Sequence, residues 1–226
     1  MEKLWHLIPQ EGTTYDVIVC GGGPAGFGAA VAAARQGART LLLESRGYLG
    51  GIAAIALWMP VNRLKLDGEQ RGGVHDLLVG KLETYGREAY TEGKRDFIND
   101  DGLDIHPEYL RLAFFELLEQ YNCHYRLYSP VTGVTMNDAF IHDVLVSGKE
   151  GLQGFRARVF VDATGDGDVS HLAGVPMVSG REEDGVFMPI SLVFALANVD
   201  VDRLLGFTTS SREQFQEILK EADHEG

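Results

Sequence analysis

Gly21, Gly23 and Gly26 stand at the spacing G-x-G-x-x-G, and 18 residues beyond the last of them comes Glu44. Glycines so spaced suit a pyrophosphate. Gly21 permits a tight turn, Gly23 lets the backbone approach the phosphates, and Gly26 lets a following helix press against a sheet. Glu44 can accept hydrogen bonds from an adenosine ribose; with no basic residue in its place, a 2′-phosphate is repelled and NADP is disfavoured. A second glycine-rich turn, Thr164, Gly165 and Asp166, lies within the run from Val161 to Asp168 and repeats this turn chemistry with backbone amides and a hydroxyl. Together these residues point to the binding of a nucleotide cofactor.

Such residues work only if the chain places them at one edge. The apolar run Tyr15 to Cys20 predicts a strand, Pro24 to Gly37 an alanine-rich helix, and Arg39 to Glu44 a second strand. This is a βαβ unit in which the helix starts at the glycine turn and aims its unpaired N–H groups and positive dipole end at the phosphates. The run ending at Val161 predicts a strand that returns to the same parallel sheet, whose carboxyl edge is the usual ligand site in open α/β folds.

Between these points the pattern is mixed. Ser45 to Gly51 is a loop whose glycines again allow close backbone approach. Ile52 to Pro60 is small and apolar, readable as a helix beside the cofactor or as a buried connector. Val74, Leu77, Leu78 and Leu82 have helical spacing, whereas Gly86 to Asp104 is polar, without periodicity, and reads as a surface excursion. Pro107 opens a helix with Leu110, Phe114, Leu117, Leu118 and Tyr121 on one face. Cys123 to Tyr128, Phe140 to Ser147 and Phe155 to Val161 read as strands, with a shorter extended piece over Val131 to Met136 and a turn at Gly148 to Gly151. Past Gly174, Met188 to Asn198 reads as a strand of a second domain, and Arg203 to Ala222 as a helix broken at Thr208 to Ser211.

Composition narrows the classes. A net charge of −13 argues against nucleic acid or an anionic membrane as the main partner, since either calls for clustered Lys and Arg. Cys20 and Cys123 show no metal-ligand or disulfide spacing, so no metal is expected. Cys20, ending a buried strand, reads as a packing residue. The segment Met1 to Thr14 does not fit a secretory signal, no apolar run is long enough to span a membrane, and a cytoplasmic location is the expectation.

The residues from Asp16 to Gly26, Leu43 to Ser45 leading to Gly50 and Gly51, and Val161 to Asp168 before Gly174 resemble the FAD-dependent oxidoreductases of the glutathione-reductase-like flavoprotein superfamily. The resemblance spans residues 14 to about 176. It implies FAD, with its pyrophosphate at Gly21, Gly23, Pro24, Ala25 and Gly26 and its ribose at Glu44. Ser45, Arg46, Gly50 and Gly51 would follow along the phosphates or the inner flavin face, Val131 would contact adenine through its backbone, and Thr164, Gly165 and Asp166 would close over the diphosphate. The implied fold is α/β: a Rossmann-like FAD-binding domain over 1–176, with a parallel sheet, a β-meander and an inserted helical segment around 52–106. An α+β substrate or cap domain would begin over 177–226. Flavoproteins of this kind run to roughly 400 residues or more, in two domains, so the flavin site is expected to be completed by a C-terminal segment or a second subunit.

The expected reaction is hydride, that is two-electron, transfer between a small organic substrate and the flavin. Alternatives are a flavin monooxygenase, a flavin-binding electron-transfer subunit inactive without a partner, and an NAD-binding regulatory module. His75, His106 and His171 read as structural, Arg63, Lys65 and Arg71 as solvated charge, and no residue is singled out as catalytic. Because only a ligand is taken to demand Gly23 and Glu44, a bulky residue at the first or arginine at the second is expected to abolish flavin retention and spare the fold.

Overall fold

The computed structural model describes residues 14–56, 60–61, 65–66, 69–70, 72–95, 99–190, 192, 196–210, 214, 216–218 and 220–221. The chain divides into two units, Met1–Ser191 and Leu192–Gly226. The first runs β1 (Tyr15–Cys20), α1 (Pro24–Arg35), β2 (Thr40–Leu43), α2 (Gly51–Ile55), the two-residue strands β3 (Pro60–Val61), β4 (Lys65–Leu66) and β5 (Glu69–Gln70), and α3 (Gly73–Thr84). It continues with β6 (Tyr90–Arg95), β7 (Asn99–Ile105), α4 (Pro107–Gln120), β8 (His124–Arg126), β9 (Val131–Asn137), β10 (Phe140–Gly148), β11 (Gly151–Phe155), β12 (Ala157–Asp162) and α5 (Asp168–Leu172). The second unit carries α6 (Val201–Ser210).

Four strands form a parallel sheet in the order β12-β1-β2-β8. Cys20 lies level with both Leu43 and Asp162, so β1, β2 and β12 end together and release their following residues at one edge. Side chains alternate across a strand, and here both faces are buried, which is why the strands read as nearly continuous apolar runs. Val19 and Leu42 face a core made with α1 and α4. Ile18, Cys20, Leu41 and Leu43 face the opposite way, against Val144, Val146 and Phe155 of the antiparallel meander β11-β10-β9. Helices, parallel sheet and meander make three layers, the α/β architecture expected.

The helical layer is joined by Phe27 of α1 stacked on Phe114 of α4, ring centres 3.7 Å apart and planes within 3°. Phe114 is 1% exposed, and truncating so buried a ring to alanine costs about 3–5 kcal/mol. Pro107 occupies the first turn of α4, and His106 caps it by accepting the Glu108 amide at its Nδ1, 3.2 Å away.

The chain departs from its sequence pattern in five places. The run Phe155 to Val161 is two strands: residues to Phe155 pair antiparallel with β10, and residues from Ala157 pair parallel with β1. Arg156 sits at the exchange, its Nε donating to Asp143 Oδ1 at 2.9 Å; one apolar run cannot reveal a change of partner. The stretch Gly86 to Asp104, read as an excursion, holds the antiparallel pair β6 and β7, with Tyr90 opposite Ile105 and β3 added on the other side. The segment around 52–106 is therefore helix and strand, because backbone pairing needs no apolar alternation. Val131–Asn137 is a full seven-residue strand. Among the described residues of Met188 to Asn198 there is no strand, and α6 continues through Thr208 and Ser210, where a break was expected. Ile52 to Pro60 resolves in favour of the helix over its first residues, as α2.

Candidate functional site

At the edge where β1, β2 and β12 end, the backbone keeps its ladder one residue further: the Gly21 amide donates to Leu43 O and the Ala163 amide to Cys20 O, each at 2.8 Å. Gly21 has φ +105°, and a Cβ there would strike the carbonyl of Ala163, so both conformation and space demand glycine. A Cβ on Gly26 would strike the Gly21 carbonyl oxygen, so the turn can close only without it. Gly23 differs: the nearest atom to its added Cβ is Gly51 Cα at 3.9 Å. Protein atoms therefore do not require that glycine, which stands on the wall of the cleft described below. Gly23 is also the N-cap of α1, with no side-chain cap and Pro24 next, so the first amides of α1 keep their donors for an anion.

Glu44 is 6% exposed. Its Oε2 accepts the Gly22 amide at 2.7 Å, and its Oε1 accepts the Arg46 amide at 2.7 Å and the Ser45 hydroxyl at 3.0 Å. A carboxylate has about four acceptor positions, so acceptor capacity remains for one ribose hydroxyl. This corrects the expectation that only a ligand demands Glu44, since the fold itself uses the carboxylate. The loop beyond closes on the same turn. The Gly50 amide donates to Gly22 O at 2.8 Å, and a Cβ on Gly51 would come within 3.0 Å of Gly23 Cα.

The third turn hangs on Asp162. Its Oδ1 accepts the Thr164 hydroxyl at 2.6 Å, and its Oδ2 accepts the Ser170 amide at 2.8 Å and hydroxyl at 2.7 Å. Thr164 Oγ1 in turn accepts the Asp168 amide at 2.7 Å. Burial opposes ionisation of Asp162, but the bonds from Thr164 and Ser170 together outweigh it and hold the carboxyl below its ordinary value.

These turns enclose a cleft of about 530 Å³, within the ~300–1,000 Å³ typical of small-molecule sites. Gly21, Gly23, Pro24 and Ala25 line it from the first turn, and Glu44, Ser45, Arg46 and Gly51 from the second. Val131 lines it from the start of β9, and Thr164, Gly165 and Asp166 from the third turn. Gly26 and Gly50 are absent from the wall and shape the turns behind it. The structure adds Gly22, Leu43, Ile52, Ile55, Ser129, Pro130, Ala163 and Asp168. Gly22 is bounded by Leu49 and Glu44, which a Cβ would approach to 2.7 and 2.8 Å; the motif spacing passes over it, although the unbroken run of three glycines was a signal. Ser129 and Pro130 immediately precede Val131 and could have been found by the same reasoning. Arg46 is the one Lys or Arg among the described lining residues.

No histidine is among the described residues of this wall. His75 pairs with Asp76 at 3.1 Å, His106 caps α4, and His171 is exposed on α5. Arg63, Arg71 and the segment Met1 to Thr13 lie outside the described residues, and of Lys65 only the backbone is described. Cys20 and Cys123 are buried and free, and burial pushes both thiols up to about 12. Among the described residues no helix is long and apolar enough to cross a membrane.

A family model for FAD dependent oxidoreductases matches residues 16–225. The chain is 36% identical over 116 residues to the 4-oxocyclohex-2-ene-1-carboxylate 5-dehydrogenase of Sinomonas cyclohexanicum, a match covering 49% of this chain and 18% of that protein. It is 37% identical over 97 residues to the 3-oxosteroid 1-dehydrogenase of Mycolicibacterium smegmatis, covering 36% of this chain and 16% of that protein. The matched part thus spans less than a fifth of either relative. Among solved structures, a geranylgeranyl bacteriochlorophyll reductase-like protein of Thermoplasma acidophilum superposes with a TM-score of 0.53 at 19% identity, over 73% of this chain and 44% of that one. The L-proline dehydrogenase of P. horikoshii gives 0.51 at 15% identity, over 72% and 56%. These two likenesses show a shared fold.

Proposed function

The chain belongs to the FAD-dependent oxidoreductase family and its cofactor is FAD; from that premise we propose that it holds FAD in the cleft at the end of β1, β2 and β12 and serves hydride transfer between a small organic substrate and the flavin. The observation that carries this reading is the meeting of the first glycine turn, Glu44 and the Thr164–Asp166 turn on one wall. The cleft fits the group, because Gly23 leaves room for a close approach beside uncapped helix amides.

Bound FAD supplies the two-electron chemistry, and the protein binds, orients and shields it. In this reading Gly21 to Ala25 and the start of α1 take the diphosphate, with Arg46 as the nearby cation. The remaining acceptor capacity of Glu44 takes a ribose hydroxyl, and the backbone at Val131 meets adenine. Thr164, Gly165 and Asp166 close over the diphosphate, held by Asp162. Ile52 and Ile55 present apolar surface along the same wall. Both curated relatives described above carry the name dehydrogenase, which supports hydride transfer rather than oxygen insertion. The same reading places the chain in the glutathione-reductase-like superfamily and, with two free buried thiols, in the cytoplasm.

A second reading is a flavin-holding chain that turns over only with a further segment or a partner subunit. It is favoured by exposed apolar side chains in the stretch after α5: Val178 is 91% exposed, Met188 87% and Ile190 99%. Surface of this kind suits a covering partner. Both readings are tested by the absorbance spectrum of the purified chain and identification of any released chromophore, followed by assay against small oxidisable substrates. Released FAD with turnover supports the first reading and released FAD without turnover the second. A chain that takes up no FAD, alone or with added partner, sinks both.

A further inference from the structure

α2 is only five residues long, far too short to persist as a helix without tertiary support. It nevertheless carries Gly51, Ile52 and Ile55 on the wall of the cleft. A side chain from the helical layer behind it provides an anchor. Arg111, in the second turn of α4, donates from one terminal nitrogen to Ala54 O at 2.5 Å and from the other to Glu108 Oε1 at 2.7 Å. Its guanidinium carbon lies 4.5 Å from the centre of the Tyr48 ring. Ala54 O is among the last carbonyls of α2, which lack amide partners within the helix, and a cation there meets the negative end of the helix. Tyr48 stands in the loop between Glu44 and α2, so one guanidinium ties α4 to both the loop and the helix. The Arg111 side chain is 25% exposed, and its Nε is buried without a partner among the described residues. Such a placement is costly unless the remaining contacts offset it.

The other end of α2 meets the glycine turn. Gly50 bonds Gly22 O at 2.8 Å, and Gly51 packs so closely on Gly23 that a Cβ would stand 3.0 Å from its Cα. A shift of α2 is therefore felt at the two residues where a diphosphate must approach.

We propose that Arg111 is a positioning residue for the cofactor: it stands off the cleft wall and holds α2 and the Tyr48 loop in register with the Gly22–Gly23 turn. The inference rests on the reading that FAD occupies this cleft. It is tested on the full chain with the variants Arg111→Met, Arg111→Lys, Glu108→Gln, Phe114→Leu and Gly23→Val. FAD affinity is read by flavin fluorescence quenching, and amide exchange of residues 51–56 is read in the absence of FAD.

Arg111→Met should speed exchange in this segment and raise the FAD Kd by about tenfold, the size expected for losing one charge-assisted hydrogen bond. Arg111→Lys should restore part of both, because an ammonium can still reach Ala54 O. Glu108→Gln should change neither, and Phe114→Leu should lower the Tm without changing exchange at 51–56. Unchanged exchange in Arg111→Met overturns the proposal, as does faster exchange with an unchanged Kd, or the same local loosening in Phe114→Leu. If Arg111→Met does not fold, Arg111→Lys lying closer to wild type than Arg111→Gln, which lacks the charge, in both Kd and exchange supports the proposal; equal behaviour of the two overturns it. Gly23→Val keeping wild-type FAD affinity defeats the cleft reading itself, whereas its loss of FAD beside an unaffected Arg111→Met defeats only the role of Arg111.

Discussion

The amide of Gly22 donates to Glu44 Oε2 at 2.7 Å, tying the turn that leaves β1 to the residue that ends β2. The bond makes one carboxylate serve two purposes. It fixes the glycine turn before any ligand arrives, and it presents the acceptor capacity left over to the cleft.

Glu44→Gln tests this double role. A glutamine amide must turn its NH₂ toward either the Gly22 amide or the Arg46 amide and Ser45 hydroxyl, so a donor faces a donor. We expect a loss of about 1–3 kcal/mol together with weaker FAD retention, and a greater loss of both in Glu44→Arg. Urea unfolding of the protein without FAD reads the first effect; a wild-type midpoint for Glu44→Gln would show that the fold does not lean on the carboxylate.

The three motif glycines should separate into two kinds. Gly23→Val should melt like the parent and lose FAD, since a Cβ there meets no protein atom closer than 3.9 Å. Gly26→Ala should be destabilised by about 1–3 kcal/mol, as overpacking is, because its Cβ runs into the Gly21 carbonyl oxygen. Thermal melts alongside FAD titration check both, and a Gly23→Val protein that binds FAD normally would remove the diphosphate from this turn.

Asp162 gives a pH dependence with a definite sign. Its folded-state value lies below the ordinary 3.8, so the stability it contributes is present above 3.8 and is lost as the pH falls through the lower folded-state value. Asp162→Asn should therefore be less stable than the parent at pH 7, with the gap narrowing below 3.8. Unfolding curves across pH 3 to 7 read the gap; a constant difference would rule out the carboxylate as the anchor of the third turn.

Both thiols should be silent in the native protein. Burial, with Asp162 adding to it at Cys20, holds each near 12, and the thiolate is the reactive form. A chromogenic thiol reagent at pH 8 should release colour only when denaturant is added. Rapid native labelling of either cysteine would mean that its strand end opens locally.

Much of the site was legible because its demands are local. A glycine turn between an apolar strand and a helix follows from steric rules acting over six residues, so Gly21, Gly23 and Gly26 could be assigned separate tasks from spacing alone, and Glu44 followed from the length of one helix and one strand. The helices α1, α3 and α4 were likewise visible, since apolar spacing and a proline at the start are properties of neighbouring residues. What local pattern could not carry was partnership. The exchange of partners at Arg156 and the pairing of β6 with β7 depend on which backbone groups find one another.

The same division runs through the cleft. By itself the sequence determined that a dinucleotide site exists in an α/β fold, because motif glycines, strand and acidic residue must obey the same short-range geometry wherever they occur. Only the tertiary structure decided that Glu44 is bonded to Gly22, that Asp162 anchors Thr164 and Ser170, and that Arg111 reaches Ala54 from a helix 57 residues away in the chain. These contacts are set by the register that brings Cys20, Leu43 and Asp162 level, and register is a property of the assembled sheet rather than of any one strand.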